Sequence, residues 1–269
     1  MQMQQAVAAG HGFWMPDAGA RMEAAARVLE SEGYTRLPVQ RAGDAALVLL
    51  GVPVHTLQPW EPVLKTLVPQ TLLFAGALSA QAQQQAARLS LCAVDYMQSE
   101  ELALFNAVPT AEGALAILLS ATDGMLWRSR VVLTGYGRIA KVLAPRLRAL
   151  GTQLTVAARS PLAQLQAQTL GYEAVPLAAL PQLAAQADYL INTVPHPVVD
   201  TAVLAALPQH AFVLELAGAP GGVDFAAAQQ LGIRAQSAPG LPGKYAPAAA
   251  GEAIGRTVCE YLRRQVFMK

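Results

Sequence analysis

Charge is what this chain has least of. Charged residues make up 14% of its 269 positions, the formal net charge is +1, and no lysine- or arginine-rich run breaks that neutrality. A surface of this kind offers no electrostatic footprint for nucleic acid or an anionic membrane. Cysteine is nearly missing as well. Cys92 and Cys259 are the only two; they are too few for a disulfide framework and, among apolar neighbours, read as core residues. His11, His55 and His210 stand at no metal-ligand spacing from one another or from the cysteines, which predicts no metal site. The opening Met1-Gln2-Met3-Gln4-Gln5 lacks the basic start and apolar centre of a signal peptide. No unbroken apolar run reaches about 18 residues, the length of a membrane span. These absences together predict a cytoplasmic protein.

Apolar residues, by contrast, make up 54% of the sequence, enough to fill two cores at this length. Their richest local pattern is Val131-Val132-Leu133-Thr134-Gly135-Tyr136-Gly137-Arg138-Ile139-Ala140. A β-branched run enters Gly-x-Gly-x-x-Ala and leaves as a helical pattern. In such a turn Gly135 permits the bend, Gly137 lets backbone approach a pyrophosphate, and small Ala140 lets helix and strand lie close. A second strand, Leu154-Thr155-Val156-Ala157-Ala158, follows at the expected distance. Its end chooses the cofactor. An NAD site places a carboxylate there for the ribose hydroxyls, whereas this chain reads Ala158-Arg159-Ser160, two donors suited to a 2′-phosphate. NADP is the expected cofactor.

The rest of the chain alternates strand and helix patterns. Strands are predicted at Gln5–Ala9, Thr35–Val39, Ala46–Leu50, Thr71–Ala75 and Leu91–Val94, then at 131–134, 154–158, 173–175, 188–193, 211–216 and 233–236. A helix over Ala20–Ser31 stops at Gly33, and Pro145 should kink the helix after the glycine turn. The fold class is α/β: two Rossmann-like domains with parallel sheets, the doubly wound nucleotide-binding domain being C-terminal. The predicted domains are 1–109, for substrate or partner, and 129–246, for NADP. A bridging helix capped by Thr110 covers 110–128, and a C-terminal helix covers 247–269.

Three further clusters fall at carboxyl ends of second-half strands, where open α/β sheets bind ligands. They are Asn192-Thr193-Val194-Pro195, Leu216-Ala217-Gly218-Ala219-Pro220-Gly221-Gly222, and Ala238-Pro239-Gly240-Leu241-Pro242-Gly243-Lys244. Proline and glycine in such loops fix a backbone that a flat ring can approach. Cofactor contacts are therefore assigned to Gly135, Tyr136, Gly137, Arg138, Ile139, Ala158, Arg159, Ser160, Thr193, Val194, Pro195, Leu216, Ala217, Pro239, Gly240 and Leu241.

Together with Asn106-Ala107-Val108-Pro109-Thr110-Ala111-Glu112-Gly113, Pro220-Gly221-Gly222-Val223-Asp224-Phe225 and the run from Ala238 to Pro247, these segments resemble the dipicolinate synthase A-subunit family. The resemblance runs from about residue 17 to the C-terminal helix. It implies a two-domain Rossmann-type protein of spore-forming bacteria. With a flavoprotein-like second subunit, such a protein uses NADP to convert a dihydrodipicolinate-level intermediate to dipicolinic acid. The family's Gly-Asp-Ala-Arg stands here as Ala18-Gly19-Ala20-Arg21, so Arg21 is the residue carried over.

A planar ring with two carboxylates needs cations and backbone donors; Lys244 and Arg21 are the candidate cations, and Thr110 is also assigned to substrate. Lys244, Glu112 and Tyr245 are the candidate catalytic groups, and His196 a further titratable one; Glu112 reads equally as a first-turn carboxylate at a helix start. Two other functions remain open: a shikimate- or hydroxy-acid-type dehydrogenase, and a non-catalytic NADP-sensing subunit. A homo-oligomer is compatible with all of them.

Overall fold

Strands in a parallel sheet are covered on both faces, so successive side chains must find apolar partners on opposite sides. Both halves of this chain are built that way. A computed structural model describes residues 11–16, 19–121 and 124–267. The strand expected at Gln5–Ala9 lies outside the described residues. The chain forms two units, one of Met1–Phe105 with Ala246–Lys269 and one of Asn106–Tyr245.

The first unit runs β1 (Gly12–Trp14), α1 (Gly19–Ser31), β2 (Thr35–Arg36), β3 (Leu47–Leu49), α2 (Glu61–Leu64), β4 (Leu72–Ala75), α3 (Ala80–Arg88) and β5 (Cys92–Asp95). Its five strands are all parallel, in the order β2-β1-β3-β4-β5. The alternation is explicit. Leu47, Leu49 and Phe74 face a core shared with Met22, Ala25 and Leu29 of α1. Val48, Leu50 and Leu73 face the opposite core, with Leu57, Leu64, Ala82 and Ala86. Pro38 and the 3-10 turn Val39–Asp44 stop β2 after two residues, shorter than the run Thr35–Val39 implied. β1, with its Gly-Phe-Trp sequence, is a strand the apolar pattern did not reveal.

The C-terminal helix Pro247–Phe267 completes this unit rather than standing apart. Ile254, Val258 and Cys259 enter the core over α1. The approach is close enough to require glycine at two positions one turn apart. A Cβ at Gly251 would lie 1.8 Å from the carbonyl oxygen of Arg21, and one at Gly255 would lie 2.6 Å from Val28 Cβ.

The helix α4 spans Glu100–Ser120, beginning ten residues before the predicted 110–128 bridge. Ser99 starts it, its Oγ accepting from Leu102 N at 3.2 Å. Pro109 and Thr110 are therefore interior. Proline is missing one helical hydrogen bond there, and the Thr110 hydroxyl donates to Asn106 O at 2.7 Å instead of capping. By length and composition α4 is apolar enough to cross a membrane, yet more than half of its apolar window is buried inside the protein.

In the second unit come β6 (Arg130–Thr134), α5 (Arg138–Ala149), β7 (Gln153–Ala158), α6 (Pro161–Thr169), β8 (Glu173–Pro176), β9 (Tyr189–Asn192), β10 (Phe212–Glu215) and β11 (Arg234–Ser237). The sheet is parallel with order β11-β10-β9-β6-β7-β8. β6 pairs with both β7 and β9, so the strand order reverses between β6 and β9. Open α/β sheets bind dinucleotides across such a reversal, at the carboxyl ends of the strands. Val131, Leu133 and Val156 face a core shared with α4 and α5, and Val132, Ala157 and Leu190 face the other. α5 continues through Pro145 without interruption.

Gly251→Ala should lower the stability of the protein by about 2 kcal/mol or more, because the new methyl must displace helix backbone. Gly218→Ala, whose Cβ would meet nothing within 4 Å, should change it by less than about 0.5 kcal/mol. Denaturant midpoints measured on both variants check this, and equal midpoints would contradict the close packing of α1 on the C-terminal helix.

Candidate functional site

The turn after β6 contains two glycines with different requirements. Gly135 has φ +81°, a left-handed conformation that favours glycine. A Cβ there would lie 2.9 Å from both Thr193 Oγ1 and Val194 Cγ2, so the turn is packed directly against the loop after β9. Gly137 has an ordinary φ of −88° and caps α5. A Cβ there would meet nothing within 4 Å. The space that its missing side chain leaves adjoins the first turn of α5, whose N–H groups lack helical partners and carry partial positive charge. A pyrophosphate fits this cradle.

Neighbouring residues contribute backbone more than side chain. Tyr136 is buried against Tyr172, with Lys141 Nζ 5.9 Å from its ring centroid, and its hydroxyl has no hydrogen-bond partner. Burial pushes its phenol pKa up, with a smaller contribution from Tyr172. The Tyr136 side chain is thus a core group, and its backbone is the part that lies in the glycine turn. Ile139 packs on the same core, Ala140 is fully buried in it, and Arg138 opens the helix.

At the end of β7, Ala158 is buried while Arg159 and Ser160 are exposed. Ser160 caps α6, its Oγ accepting from Ala163 N at 3.5 Å. Its hydroxyl proton stays available to an anion.

The groups that shape the rest of this edge are three buried polar residues, of which the sequence pattern placed Thr134 and Asn192 in marked segments and gave Glu215 no role. Thr134, Asn192 and Glu215 close β6, β9 and β10, and all are at least 98% buried. Thr134 Oγ1 donates to Asn192 Oδ1. Asn192 Nδ2 donates to Glu215 Oε1 at 2.9 Å and to Val194 O at 2.9 Å. Glu215 accepts further from the backbone N–H groups of Ala217 (2.8 Å), Gly222 (2.6 Å) and Val223 (3.0 Å). Thr193 Oγ1 donates to Thr134 O at 2.7 Å. The loops 193–195 and 216–223 are thereby tied to the strands below them. A polar residue ending each apolar strand run was the signal that could have found this network.

Of the other predicted residues, Leu216 and Leu241 are buried in the core, and Pro195 is exposed. Pro239 and Gly240, the latter at φ +69°, lead into a short helix, Leu241–Tyr245. That helix replaces the extended loop expected there. Lys244 is exposed with Nζ 5.4 Å from the Tyr245 ring centroid. Gly113 backs onto this helix, since a Cβ there would lie 2.7 Å from Tyr245 Cδ2 and 3.2 Å from Leu241 Cβ. Glu112, beside Gly113, is exposed in the interior of α4, not at a helix start. Thr110 is buried, and its hydroxyl donates to the helix backbone at Asn106 O. Arg21, in the first unit, is half-buried with an unpartnered Nε. Burial draws its pKa below the ordinary arginine value, with a smaller opposing effect from Tyr96. Among the described residues no group of three or more His, Cys, Asp or Glu is placed to hold a metal ion.

Residues 109–238 match the family model for the NAD-binding domain of S-adenosyl-L-homocysteine hydrolase. The fold is shared with L-alanine dehydrogenase, at a TM-score of 0.66 and 16% identity over 93% of this chain and 88% of that one. The strand order, the glycine cradle and these likenesses define a dehydrogenase-like protein with a nicotinamide dinucleotide site. A more specific relation follows from two further matches. The A-subunit of dipicolinate synthase from Bacillus subtilis is 31% identical over 191 residues, which cover 71% of this chain and 64% of that protein. The crystal structure of the corresponding A-subunit from Bacillus halodurans superposes with a TM-score of 0.85 at 26% identity, covering 94% of this chain and 98% of that one. The chain is thus similar along most of its length to dipicolinate synthase A-subunits. Its sequence match spans just under two thirds of the Bacillus subtilis relative's length.

Gly137→Val should abolish dinucleotide binding and leave the fold intact, because its Cβ meets no protein atom within 4 Å and the branched side chain enters the cradle. Calorimetric titration together with far-UV circular dichroism checks this. Retained binding would show that the cradle does not hold the pyrophosphate.

Proposed function

We propose that this chain is the NADP-dependent oxidoreductase component of a dipicolinate synthase, oxidising a dihydrodipicolinate-level intermediate to dipicolinic acid. The observation that carries this reading is the pairing of the open cradle at Gly137 with Arg159 and Ser160 at the end of β7, in a chain similar to dipicolinate synthase A-subunits. Arg159 is exposed, and the segment Ala158-Arg159-Ser160-Pro161-Leu162 holds no carboxylate to repel a 2′-phosphate.

When bound, the cofactor supplies a hydride acceptor. Oxidation of the substrate ring would remove a hydride from one carbon and a proton from its neighbour, the proton passing to a residue of this chain, and aromatisation would favour the loss. Lys244 holds a substrate carboxylate. The rigid Pro-Gly segment before it and the packing of Tyr245 against Gly113 fix the stem from which its ammonium extends. Arg21 is the other cation suited to an anion, since a desolvated guanidinium with an unpartnered Nε gains most from a charged acceptor. Tyr245 and Glu112, both exposed, are the candidate proton acceptors. The same reading extends to a cytoplasmic setting, a role in sporulation and a flavoprotein-like partner.

Wild type should bind NADP at least tenfold more tightly than NAD, a difference of about 1.4 kcal/mol. Arg159→Ala should erase most of that preference. Equal affinities in wild type would remove the case for NADP. In turnover of dihydrodipicolinate, Lys244→Ala should raise KM by the equivalent of about 1.5–3 kcal/mol, the worth of a charge-assisted hydrogen bond, with NADP affinity unchanged. NADP binding without turnover would favour a sensing role, and turnover of hydroxy acids instead would favour the dehydrogenase alternative.

A further inference from the structure

We propose that Glu215 is the positioning residue for the nicotinamide half of the cofactor site, acting through the backbone of the loops after β9 and β10 while the adenosine half is held independently of it. The proposal rests on the reading that the chain binds a nicotinamide dinucleotide. It follows from where the two halves must lie. The cradle at Gly137 fixes the pyrophosphate over β6, and Arg159 and Ser160 fix the adenosine ribose beyond β7. The other half of the molecule therefore extends across the strand reversal, over β9 and β10. The loops it meets there are 193–195 and 216–223.

Those loops have little regular structure to hold them, and their N–H groups converge on one buried side chain. Glu215 is 2% exposed. Its Oε1 accepts from Ala217 N and Asn192 Nδ2, and its Oε2 from Gly222 N, Val223 N and the same Asn192 nitrogen. Backbone N–H groups can only donate, so both oxygens are required as acceptors. The orientation of Asn192 is set as well, because its Oδ1 accepts from Val194 N at 3.1 Å while its Nδ2 donates to Val194 O. Asn192 cannot turn to offer Glu215 an oxygen without losing both contacts. The two loops are also joined to each other. Gly222 O accepts from Val198 N and Val199 N at 3.1 and 2.9 Å. A Cβ at Gly222 would lie 2.4 Å from His196 O and 2.6 Å from Val194 O. Through this contact the loop after β10 braces the loop after β9, which in turn packs on Gly135.

Glutamine at 215 supplies one acceptor oxygen where the site needs two, and its amide nitrogen must face a donor. The loops would shift at the nicotinamide end, whereas the hydrogen bonds of Glu215 run to Asn192, Ala217, Gly222 and Val223, not to the turn at Gly137 or the end of β7. The two halves of the ligand should therefore respond differently. Calorimetric titration of Glu215→Gln with NADP should show at least a tenfold weaker Kd than wild type, and titration with 2′,5′-ADP, which carries only the adenosine half, a Kd within twofold. If the wild type prefers NAD, then NAD and 5′-ADP are the corresponding pair. Should Glu215→Gln not fold, Glu215→Asp carries the same test, because it keeps both acceptor oxygens but withdraws them by one methylene. An unchanged Kd for the dinucleotide in a folded variant overturns the proposal, and so does a parallel loss of both ligands. A wild-type chain that binds neither ligand overturns the cofactor reading itself.

Discussion

Every strand in both sheets runs parallel to its neighbours, and this constraint organises the rest of the protein. All the carboxyl ends in a sheet then lie along one edge, where the chain leaves the ladder and its next N–H groups need acceptors that no strand supplies. Each unit meets the need with an acidic side chain at a strand end. In the second unit it is Glu215 at the end of β10. In the first it is Asp95 at the end of β5, which accepts from Ala77 N at 2.9 Å, Leu78 N at 3.1 Å and Met97 N at 2.9 Å. The loops that a ligand would meet are thus held from below by carboxylates, in units that otherwise share only their alternating plan. Loops fixed in this way can present backbone to a ligand without a regular structure of their own.

Much of the architecture was legible because it is local. Strands such as Leu47–Leu49 and Leu154–Ala158 announce themselves as apolar runs, and Gly33, Gly151, Gly171 and Gly232 end helices at positive φ where a breaker was expected. The glycine turn was legible for the same reason. What escaped was set by competition or by distant partners. Pro109-Thr110 looks like a helix start with Thr110 as its cap, but Ser99 offers an earlier start and the apolar packing of α4 outweighs one lost hydrogen bond. The Leu241–Tyr245 segment looks like a rigid loop, yet proline is tolerated in the first turn of a helix and Leu241 has a core to fill. Glu215 was passed over because it falls inside the strand predicted at 211–216, where an apolar-run reading gives a polar residue no role. Gly251 and Gly255 carry no local signal at all; only the nearness of α1 makes them necessary.

The turn after β6 also separates two meanings that a glycine motif merges. Gly135 is glycine because protein atoms already occupy the place of a side chain, and Gly137 because nothing does. Absent a ligand, only the first is demanded by folding. At Gly137 a Cβ would meet no protein atom, and the adjoining helix N-terminus offers N–H groups to an anion.

The C-terminal helix has a consequence for how the protein is made. It lies last in sequence but supplies Ile254, Val258 and Cys259 to a core otherwise built from residues no later than Leu102. On the ribosome, the second unit is complete in sequence at Tyr245, whereas the first, although begun earlier, still exposes one face of α1. The earlier half must therefore wait, partly uncovered, for the final stretch of chain to emerge, and the nucleotide-binding half has the opportunity to finish first.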